Sequence, residues 1–285
     1  MTTPRIVIQG TTLTASLVQG AARLAGATRV EQRSQTLWTC EDLFQTPGAA
    51  VRARLRTLGD AAHADINCIA APRPLASYRL AVMDMDSTLI TIECIDEIAD
   101  MLGIKPQVAA ITESAMRGEI AYPESLRRRV ALLKGLDESA LERVYQERLR
   151  LSPGAERMLA QCKAAGLKTL LVSGGFTFFT ERLKTRLGLD FTHSNLLGIE
   201  QGKLTGMVFG PIVDAEEKAR MLLATCAQLG CTPSETIAMG DGANDLKMMA
   251  VAGLSVAYHA KPVVREQAMT AISHHGLDAV LDFFD

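Results

Sequence analysis

Four short apolar runs, each followed at once by polar or glycine-rich residues, constrain the fold of this chain more than any other feature. They lie at residues 79–83, 167–172, 236–239 and 254–257. Runs this short and this continuously apolar are typical of strands that are buried on both faces of a parallel sheet. Helical patterns precede the last three runs, at residues 154–165, 215–229 and 243–252. This alternation predicts an α/β fold with a doubly wound, Rossmann-like parallel sheet.

A long stretch without any strand pattern separates the first two runs. Its helical segments cover residues 92–102, 106–117, 123–133 and 138–149 and are separated by Gly103, Gly118 and Gly135. The pattern predicts a helical cap, about residues 92–150, inserted over the carboxyl edge of the sheet, where ligands of α/β proteins bind. Residues 195–208, with Gln201-Gly202 at their centre, predict a β-hairpin at the rim of the same face.

The first 75 residues predict a separate, small α+β domain. Strand patterns at residues 5–9 and 65–70 flank helical patterns at residues 13–24 and 49–62, and the order of elements between the helices is only partly legible. Two prolines in Ala71-Pro-Arg-Pro74 then favour a linker. We therefore expect two domains, residues 1–75 and residues 76–285, and we find no catalytic motif in the first.

The charge balance of the chain gives it no strong overall field. With a formal net charge of −2 and a pI near 6.2, we expect neither nucleic-acid nor membrane binding, so an anion must be captured by a local site. A small soluble substrate fits this better than a polymer. No apolar run approaches the roughly 18 residues that span a bilayer, and the N-terminus lacks the pattern of a signal peptide. The prediction is a cytoplasmic protein.

Six cysteines are scattered along the chain without a CxxC pair, mostly in apolar or helical surroundings. We interpret them as free, buried thiols in a reducing compartment rather than as disulfides or metal ligands. They are Cys40, Cys68, Cys94, Cys162, Cys226 and Cys231.

Two aspartates follow the first apolar run, in Asp84-Met-Asp-Ser-Thr88. Asp84 and Asp86 are two positions apart, so their side chains face the same way if the chain stays extended. Two carboxylates at one strand end attract a cation, and they can divide the work of nucleophile or ligand and of proton donor. The alternative, a pair of solvated turn aspartates, is disfavoured by the buried strand before them.

A second acidic motif, Gly240-Asp-Gly-Ala-Asn-Asp245, follows the third run and opens a helix. Its glycines let the backbone approach a ligand closely, and Asp241, Asn244 and Asp245 offer hard oxygen ligands. The rival interpretation is a calcium loop of the EF-hand type. It is weak because no glutamate closes the loop and an apolar strand precedes it.

Two further motifs suit a phosphate group. Ser173-Gly174-Gly175 ends the second run and precedes a helical pattern from Phe176, which places a hydroxyl and free amides at a helix N-terminus. Lys218 lies early in a helix, where a cation is mildly unfavourable against the helix dipole. Taken singly, these are an ordinary turn and a solvated lysine. Because all four motifs follow successive strands of a predicted parallel sheet, they point to one pocket.

In this order the motifs resemble those of the haloacid dehalogenase superfamily. Asp84-Met-Asp-Ser-Thr88 is similar to its first motif, DxDxT/S, and Ser173, Lys218 and Gly240-Asp-Gly-Ala-Asn-Asp245 are similar to the second, third and fourth. The resemblance covers residue 78 to the C-terminus. It implies a Mg²⁺-dependent phosphatase that carries the phosphoryl group briefly as an aspartyl phosphate.

The resemblance also implies a role for each matching residue. Asp84 would be the nucleophile, and Asp86 the general acid and then the general base. Mg²⁺ would be held by the Asp84 carboxylate, the Asp86 main-chain carbonyl and Asp241. The remaining motif residues would act on the phosphate: Ser173 and Lys218 would hold its equatorial oxygens, and Asp245 would orient Lys218 or the waters of the metal.

The cap resembles the branch of this superfamily that hydrolyses O-phospho-L-serine in serine biosynthesis. The matching segments include Thr91-Ile-Glu-Cys-Ile-Asp-Glu-Ile and Arg129-Val-Ala-Leu-Leu-Lys-Gly. By that match, Glu93 would bind the substrate ammonium and Arg129 its carboxylate, with Gly174 and Asn244 completing the pocket. One departure is Tyr122, where that branch usually has phenylalanine.

Three alternatives stay open. Glu93 could belong to a solvated helix face and Arg129 to a surface charge run, Arg127-Arg-Arg129. The substrate could be another small phosphate ester, or the chain could be a mutase of the same superfamily. We assign no role to His259, His274 and His275; His259 could approach the pocket, but a surface position is favoured for it.

The N-terminal domain resembles the small amino-acid-binding module of the ACT type. That resemblance implies one of two roles, serine binding or contact between the copies of a homodimer. The residues alone do not decide between them.

Overall fold

The computed structural model describes residues 3–284 and contains two β-sheets. The N-terminal sheet is antiparallel, has the order β2-β3-β1-β4 and carries two helices, α1 and α2. These elements are β1 (Arg5–Gln9), α1 (Ala15–Ala25), β2 (Ala27–Gln32), β3 (Leu37–Leu43), α2 (Ala49–Ala61) and β4 (Asp65–Ile69). The order is therefore the complete βαββαβ of the split-βαβ type. It includes β2 and β3, which could be predicted only in part from the sequence.

The larger sheet has seven strands in the order β11-β10-β9-β5-β6-β7-β8. All neighbours in it are parallel except β7 and β8. The strands are β5 (Leu80–Met83), β6 (Lys168–Phe176), β7 (Phe191–Glu200), β8 (Lys203–Phe209), β9 (Thr236–Gly240), β10 (Leu254–Tyr258) and β11 (Thr270–Ile272). The predicted doubly wound α/β fold is confirmed, as is the predicted hairpin, whose turn is Gln201-Gly202.

Helices cover this sheet and form the cap. Those of the cap are α3 (Cys94–Met101), α4 (Lys105–Met116), α5 (Tyr122–Ala131) and α6 (Ser139–Arg143). Those of the core are α7 (Ala155–Ala164), α8 (Thr177–Leu187), α9 (Ala215–Leu229), α10 (Leu246–Val251) and α11 (Pro262–Gln267). The helix predicted over residues 138–149 is present from Ser139 to Arg148, and its last part, Val144–Arg148, winds more widely than an α-helix.

Strand β5 lies in the middle of the core, between β9 and β6. All four of its residues are fully buried. Leu80 and Val82 pack into the apolar cluster on one face of the sheet, and Ala81 and Met83 pack into the cluster on the other. This alternation explains why the run is apolar at every position. It also holds Asp84 rigidly at the carboxyl end of the sheet's central strand.

The cap leaves and re-enters the core through two adjacent segments. Ile90 and Leu151 form an isolated antiparallel bridge, and the amide of Thr91 donates to the carbonyl of Arg150 at 3.0 Å. The far end of the cap is tied to the hairpin, where Gly135 N–H donates to Leu204 O at 2.8 Å. These two sets of backbone hydrogen bonds hold the cap over the carboxyl edge of the sheet.

Strand β6 ends later than predicted. It continues through Ser173, Gly174 and Gly175 to Phe176, with a change of register against β7 after Val172. Phe176 is extended, at φ −120° and ψ 147°, and α8 begins one residue later. The predicted helix begins one residue later than expected, at Thr177, and Ser173 with its glycines belongs to the strand before it, because the irregularity lets the strand run on. The hydroxyl lies inside the end of a strand.

Two other predictions can be compared with the described residues. All six cysteines are free, and five are buried. In residues 3–284 no helix is long and apolar enough to cross a membrane.

Candidate active site

Asp84 is held by three neighbours at the end of β5. Its amide donates to Met239 O at 3.0 Å, which fixes the backbone against β9. Its Oδ1 accepts from the amide of Met85 at 2.7 Å and lies 2.7 Å from Lys218 Nζ. No residue in the described part of the chain donates to its Oδ2. One carboxylate oxygen is thus fixed and the other has no protein donor.

Directly after Asp84 the chain leaves the strand in a wide turn, Met85–Leu89, whose backbone hydrogen bonds span five residues. Ser87 has a left-handed backbone conformation there, with φ +55°. A non-glycine residue in this region is strained, and such strain persists where the surroundings enforce it. Here the Ser87 hydroxyl donates to Glu93 Oε1 at 2.7 Å. The turn therefore brings the start of the cap back to the aspartates.

Lys218 extends from the first turn of α9 into the interior, where its side chain is fully buried. Its ammonium lies 2.7 Å from Asp84 Oδ1 and donates to Asp245 Oδ1 at 2.7 Å. The two carboxylates raise the pKa of Lys218 far above its ordinary value, against the opposing effect of burial. The unfavourable position at the start of the helix is thus offset by two short ion pairs.

Asp84, Asp241 and Asp245 form a carboxylate cluster in which one oxygen of each lies within 4.8 Å of the others. Burial raises the pKa of Asp241 to about 6, and the charge of Asp245 adds to the effect. Burial also raises the pKa of Asp84, while Lys218 lowers it. Three carboxylates facing one ammonium leave an excess of negative charge, and hard oxygens of this kind are the ligands that Mg²⁺ prefers. The donor set therefore fits a divalent cation.

This cluster differs in one member from the predicted metal ligands. The cluster contains Asp245, whose Oδ1 is engaged by Lys218 and whose Oδ2 accepts from Gly242 N–H at 3.0 Å. Asp86 was predicted to contribute its carbonyl and not its side chain, and its carboxylate lies outside the cluster. The hydrogen bonds of Asp245 suit the predicted role of orienting Lys218.

Asp86 has the electrostatic setting of a proton donor. Partial burial raises the pKa of its carboxyl to about 7, and the nearby charge of Glu93 adds to this. Its Oδ1 accepts from the amide of Cys94 at 3.0 Å, which aims the carboxyl from the turn toward the start of the cap. A pKa near neutrality is what an acid that later acts as a base requires.

The second motif surrounds this carboxyl closely. Ser173 is fully buried, and its Oγ accepts from Gly175 N–H at 2.8 Å. A Cβ at Gly175 would lie 2.8 Å from Asp86 Oδ2 and 3.1 Å from Ser173 Oγ. A Cβ at Gly174 would lie 2.2 Å from the hydroxyl of Tyr122. Both glycines are needed because the backbone itself forms a wall of the site.

The cap residues named from the sequence lie in two settings. Arg128 pairs with Glu124 at 2.7 Å on the exposed side of α5, and Arg127 is also exposed. Arg129 is half-buried, donates only to the carbonyl of Ser125 at 3.4 Å and forms no ion pair with a described residue. The structure thus separates Arg129 from the surface charge run of which it could have been part.

Tyr122 connects the cap to the core. Burial raises the pKa of its phenol to about 12, against the charges of Lys218 and Arg129. Its hydroxyl lies 3.4 Å from the carbonyl of Gly174 as a potential donor. The phenol therefore lies against the second motif, within electrostatic reach of Lys218 and Arg129.

Asn195 was not among the residues predicted to form the site. Its Nδ2 donates to Gly174 O at 2.7 Å, and its Oδ1 accepts from the amide of Val213 at 2.9 Å. This buried side chain therefore joins the second motif to the segment that leads to Lys218. A single buried asparagine in a strand carries no spacing or motif from which this contact could be foreseen.

The three histidines lie elsewhere, and His259 is at the surface as predicted. His259 is exposed, and its Nε2 lies 3.0 Å from His275 O. His274 and His275 lie beside Asp60 and Asp65 where the two sheets meet. None of the three lines the aspartate site.

Comparison with known proteins agrees with the motifs. A family model described as haloacid dehalogenase-like hydrolase matches residues 81–250. A phosphoserine phosphatase of Polaromonas sp. is 60% identical over 222 residues, which are 76% of this chain and 94% of that protein. The chain belongs to the phosphoserine phosphatase family of haloacid dehalogenase-like hydrolases.

Solved structures extend the comparison. A haloacid dehalogenase family hydrolase from Salmonella enterica serovar Typhi has a TM-score of 0.91 at 34% identity and covers 99% of both chains, so it shares both sheets. A phosphoserine phosphatase captured as an analogue of its phospho-aspartyl intermediate has a TM-score of 0.69 at 38% identity and covers 73% of this chain.

Replacing Lys218 by methionine should destabilise the folded protein, because it removes a buried positive charge. The change leaves Asp84 and Asp245 buried without their ammonium, and breaking a buried ion pair in this way costs on the order of 3 kcal/mol of unfolding free energy. Urea denaturation measures it. The double variant Lys218→Met/Asp245→Asn should recover part of the loss, and equal stability of the single and double variants would contradict the ion-pair account.

Replacing Gly175 by alanine should reduce phosphatase activity by at least about tenfold, because the new methyl group displaces Asp86 from its position. The matched control is Gly48→Ala, where a Cβ meets nothing within 4 Å. The measurement is the steady-state rate of hydrolysis of a phosphate monoester by the two variants and the wild type. Equal activity of the two variants would show that the fit around Asp86 is looser than the structure indicates.

Proposed function

We propose that this chain hydrolyses O-phospho-L-serine to serine and inorganic phosphate, as the last step of serine biosynthesis, through a phosphoryl group carried on Asp84. The observation that supports this most directly is the Asp84 carboxylate, fixed through one oxygen by Lys218 at 2.7 Å, with Asp86 two residues further on. Family membership supports the same reaction class.

In the first step, Asp84 Oδ2 attacks phosphorus and forms an O–P bond as the bond from phosphorus to the serine oxygen breaks. Asp86 gives its proton to that departing oxygen, so serine leaves neutral at its hydroxyl. The fixed Oδ1 keeps the carboxylate from rotating, which holds Oδ2 in line with the substrate.

In the second step, Asp86 is ionised and accepts a proton from water as that water attacks phosphorus. The bond between phosphorus and Asp84 breaks, inorganic phosphate is released and both carboxyls return to their starting states. A pKa of about 7 for Asp86 means that both of its protonation states are accessible near neutral pH.

Lys218 and Ser173 stabilise the charge on the phosphoryl oxygens. Phosphoryl transfer depends mainly on positioning and on neutralising charge, so a buried ammonium beside the nucleophile is well placed for both. Phosphatases of this superfamily generally use Mg²⁺, and a Mg²⁺ ion held by Asp84, Asp241 and the main-chain carbonyl of Asp86 would supply further charge neutralisation there. Asp245 holds Lys218 in place.

Glu93 and Arg129 determine the substrate. A phosphorylated amino acid carries an ammonium and a carboxylate that a simple phosphate ester lacks, and one carboxylate with one guanidinium recognises that pair. Arg129 is half-buried without an ion-pair partner among the described residues, and Glu93 is positioned by Ser87. Gly174 and Asn244 complete the pocket.

The N-terminal sheet fits an ACT-like regulatory or dimerisation module by its βαββαβ order. Its two proposed roles are serine binding and contact between the copies of a dimer. The proposal also divides the chain into two domains, residues 1–75 and residues 76–285.

Phosphate release from L-phosphoserine, phosphothreonine and a sugar phosphate tests the reaction. We expect Mg²⁺-dependent release that is fastest with phosphoserine and at least about 10³-fold slower in Asp84→Asn, because that change removes the nucleophile. Faster release from another ester would favour a different phosphatase of the superfamily, and return of the phosphoryl group to a second substrate would favour a mutase.

Replacing Arg129 by glutamine should lower kcat/KM for phosphoserine by about 10- to 100-fold, the value of a charge-assisted hydrogen bond. Its effect on p-nitrophenyl phosphate, which has no carboxylate, should be small. Arg127→Gln, two residues away on the exposed face of α5, serves as the control. Equal losses on both substrates would remove Arg129 from substrate recognition.

A further inference from the structure

A second cleft opens where the two sheets meet, and it shares no lining residue with the aspartate site. It is bordered by α2 and β4 on one side and by α11 and β11 on the other, with about 270 Å³ of space including its open mouth. Its charged lining residues are Arg52, Arg56 and Arg265, and no acidic residue lines it. We call it the junction cleft.

The guanidinium group of Arg56 is close enough to those of Arg52 and Arg265 to be repelled by both. Arg52 and Arg56 are one helical turn apart on α2, a spacing at which like charges destabilise a helix. Partial burial lowers the pKa of Arg56, and the charges of Arg265 and Arg52 lower it further, against weaker opposition from Glu266 and Asp60. The fold therefore accepts an unfavourable concentration of positive charge at this place.

The hydrogen-bonding capacity of these arginines is only partly used. Arg265 Nη2 donates to both oxygens of Asp60, at 2.8 and 3.0 Å, but its Nε is buried without an acceptor. Arg52 Nη1 donates to the carbonyl of Pro47 at 3.2 Å. Arg56 forms neither a hydrogen bond nor an ion pair with any residue in the described part of the chain. A buried donor left without a partner is costly.

We propose that the junction cleft binds one small oxyanion of the phosphate class. Guanidinium groups match the geometry of phosphate oxygens and bind them through paired N–H donors. Asp60 balances the charge of Arg265, and the charges of Arg52 and Arg56 are left for an anion to neutralise. Only about 10 Å³ of the cleft is enclosed, the space of about one water, so the anion would bind at the open mouth of the cleft.

A bound anion here would connect the two sheets. Arg52 and Arg56 belong to the N-terminal sheet's helix α2, whereas Arg265 belongs to α11 of the larger unit. Helix α11 follows Lys261, whose amide donates to the carbonyl of Asp241 at 3.2 Å. The anion would therefore bind between the N-terminal sheet and a short helix that begins beside the aspartate site.

Equilibrium dialysis with radiolabelled inorganic phosphate tests the proposal on the full chain. Because the aspartate site can also bind phosphate, the quantity to measure is the difference between variants. Arg56→Gln should bind one phosphate fewer per chain than the wild type, or bind it at least about tenfold more weakly. Arg52→Gln should show the same change.

The matched control is Arg54→Gln, which removes an equal charge from the exposed side of the same helix. It should bind phosphate as the wild type does, and unchanged phosphate release from phosphoserine would verify that each variant is folded. Equal phosphate binding by the wild type, Arg52→Gln and Arg56→Gln would overturn the proposal. An equal loss in Arg54→Gln would also overturn it, because it would show only a general effect of charge.

Discussion

The buried ammonium of Lys218 is the interaction on which the rest of the active site depends. It lies 2.7 Å from one oxygen of Asp84 and from one oxygen of Asp245, and so it joins the end of β5 to the loop after β9. Without it, two carboxylates would face each other in a fully buried space. The parallel sheet makes the contact available because the carboxyl ends of neighbouring strands open on the same edge.

Because these charged side chains are closely packed, the backbone of the surrounding loops has little room to vary. Gly240 and Gly175 lack side chains where a Cβ would meet Asp245 or Asp86 at less than 3 Å. Asn195 fixes the backbone of the second motif from the hairpin side. The cap, tied at its hinge and to the hairpin, then places Glu93, Tyr122 and Arg129 over the same edge. In the proposed reaction the core would perform the chemistry and the cap would select the substrate.

Much of this could be predicted because it depends on local patterns. The apolar run before Asp84 fixes a doubly buried strand, and the order of the four motifs fixes their convergence on one edge. What the sequence did not predict depends on contacts between distant residues or on very short elements. Strand β11 has only three residues, too few for a recognisable pattern. Likewise, the approach of Arg265 to Arg56 depends on contacts between distant residues, among them the hydrogen bonds of Asn67 in β4 to the backbone of Ala271 in β11.

The central claim is that Asp84 carries the phosphoryl group, and trapping the intermediate tests it most directly. In Asp86→Asn with p-nitrophenyl phosphate, whose leaving group needs no proton, the account predicts a burst of one p-nitrophenol per chain. Borohydride reduction after acid quench should convert the phosphorylated aspartate to homoserine, and peptide mass spectrometry should locate it at position 84. A burst with homoserine at another position, or turnover with no burst and no modified residue, would contradict the account.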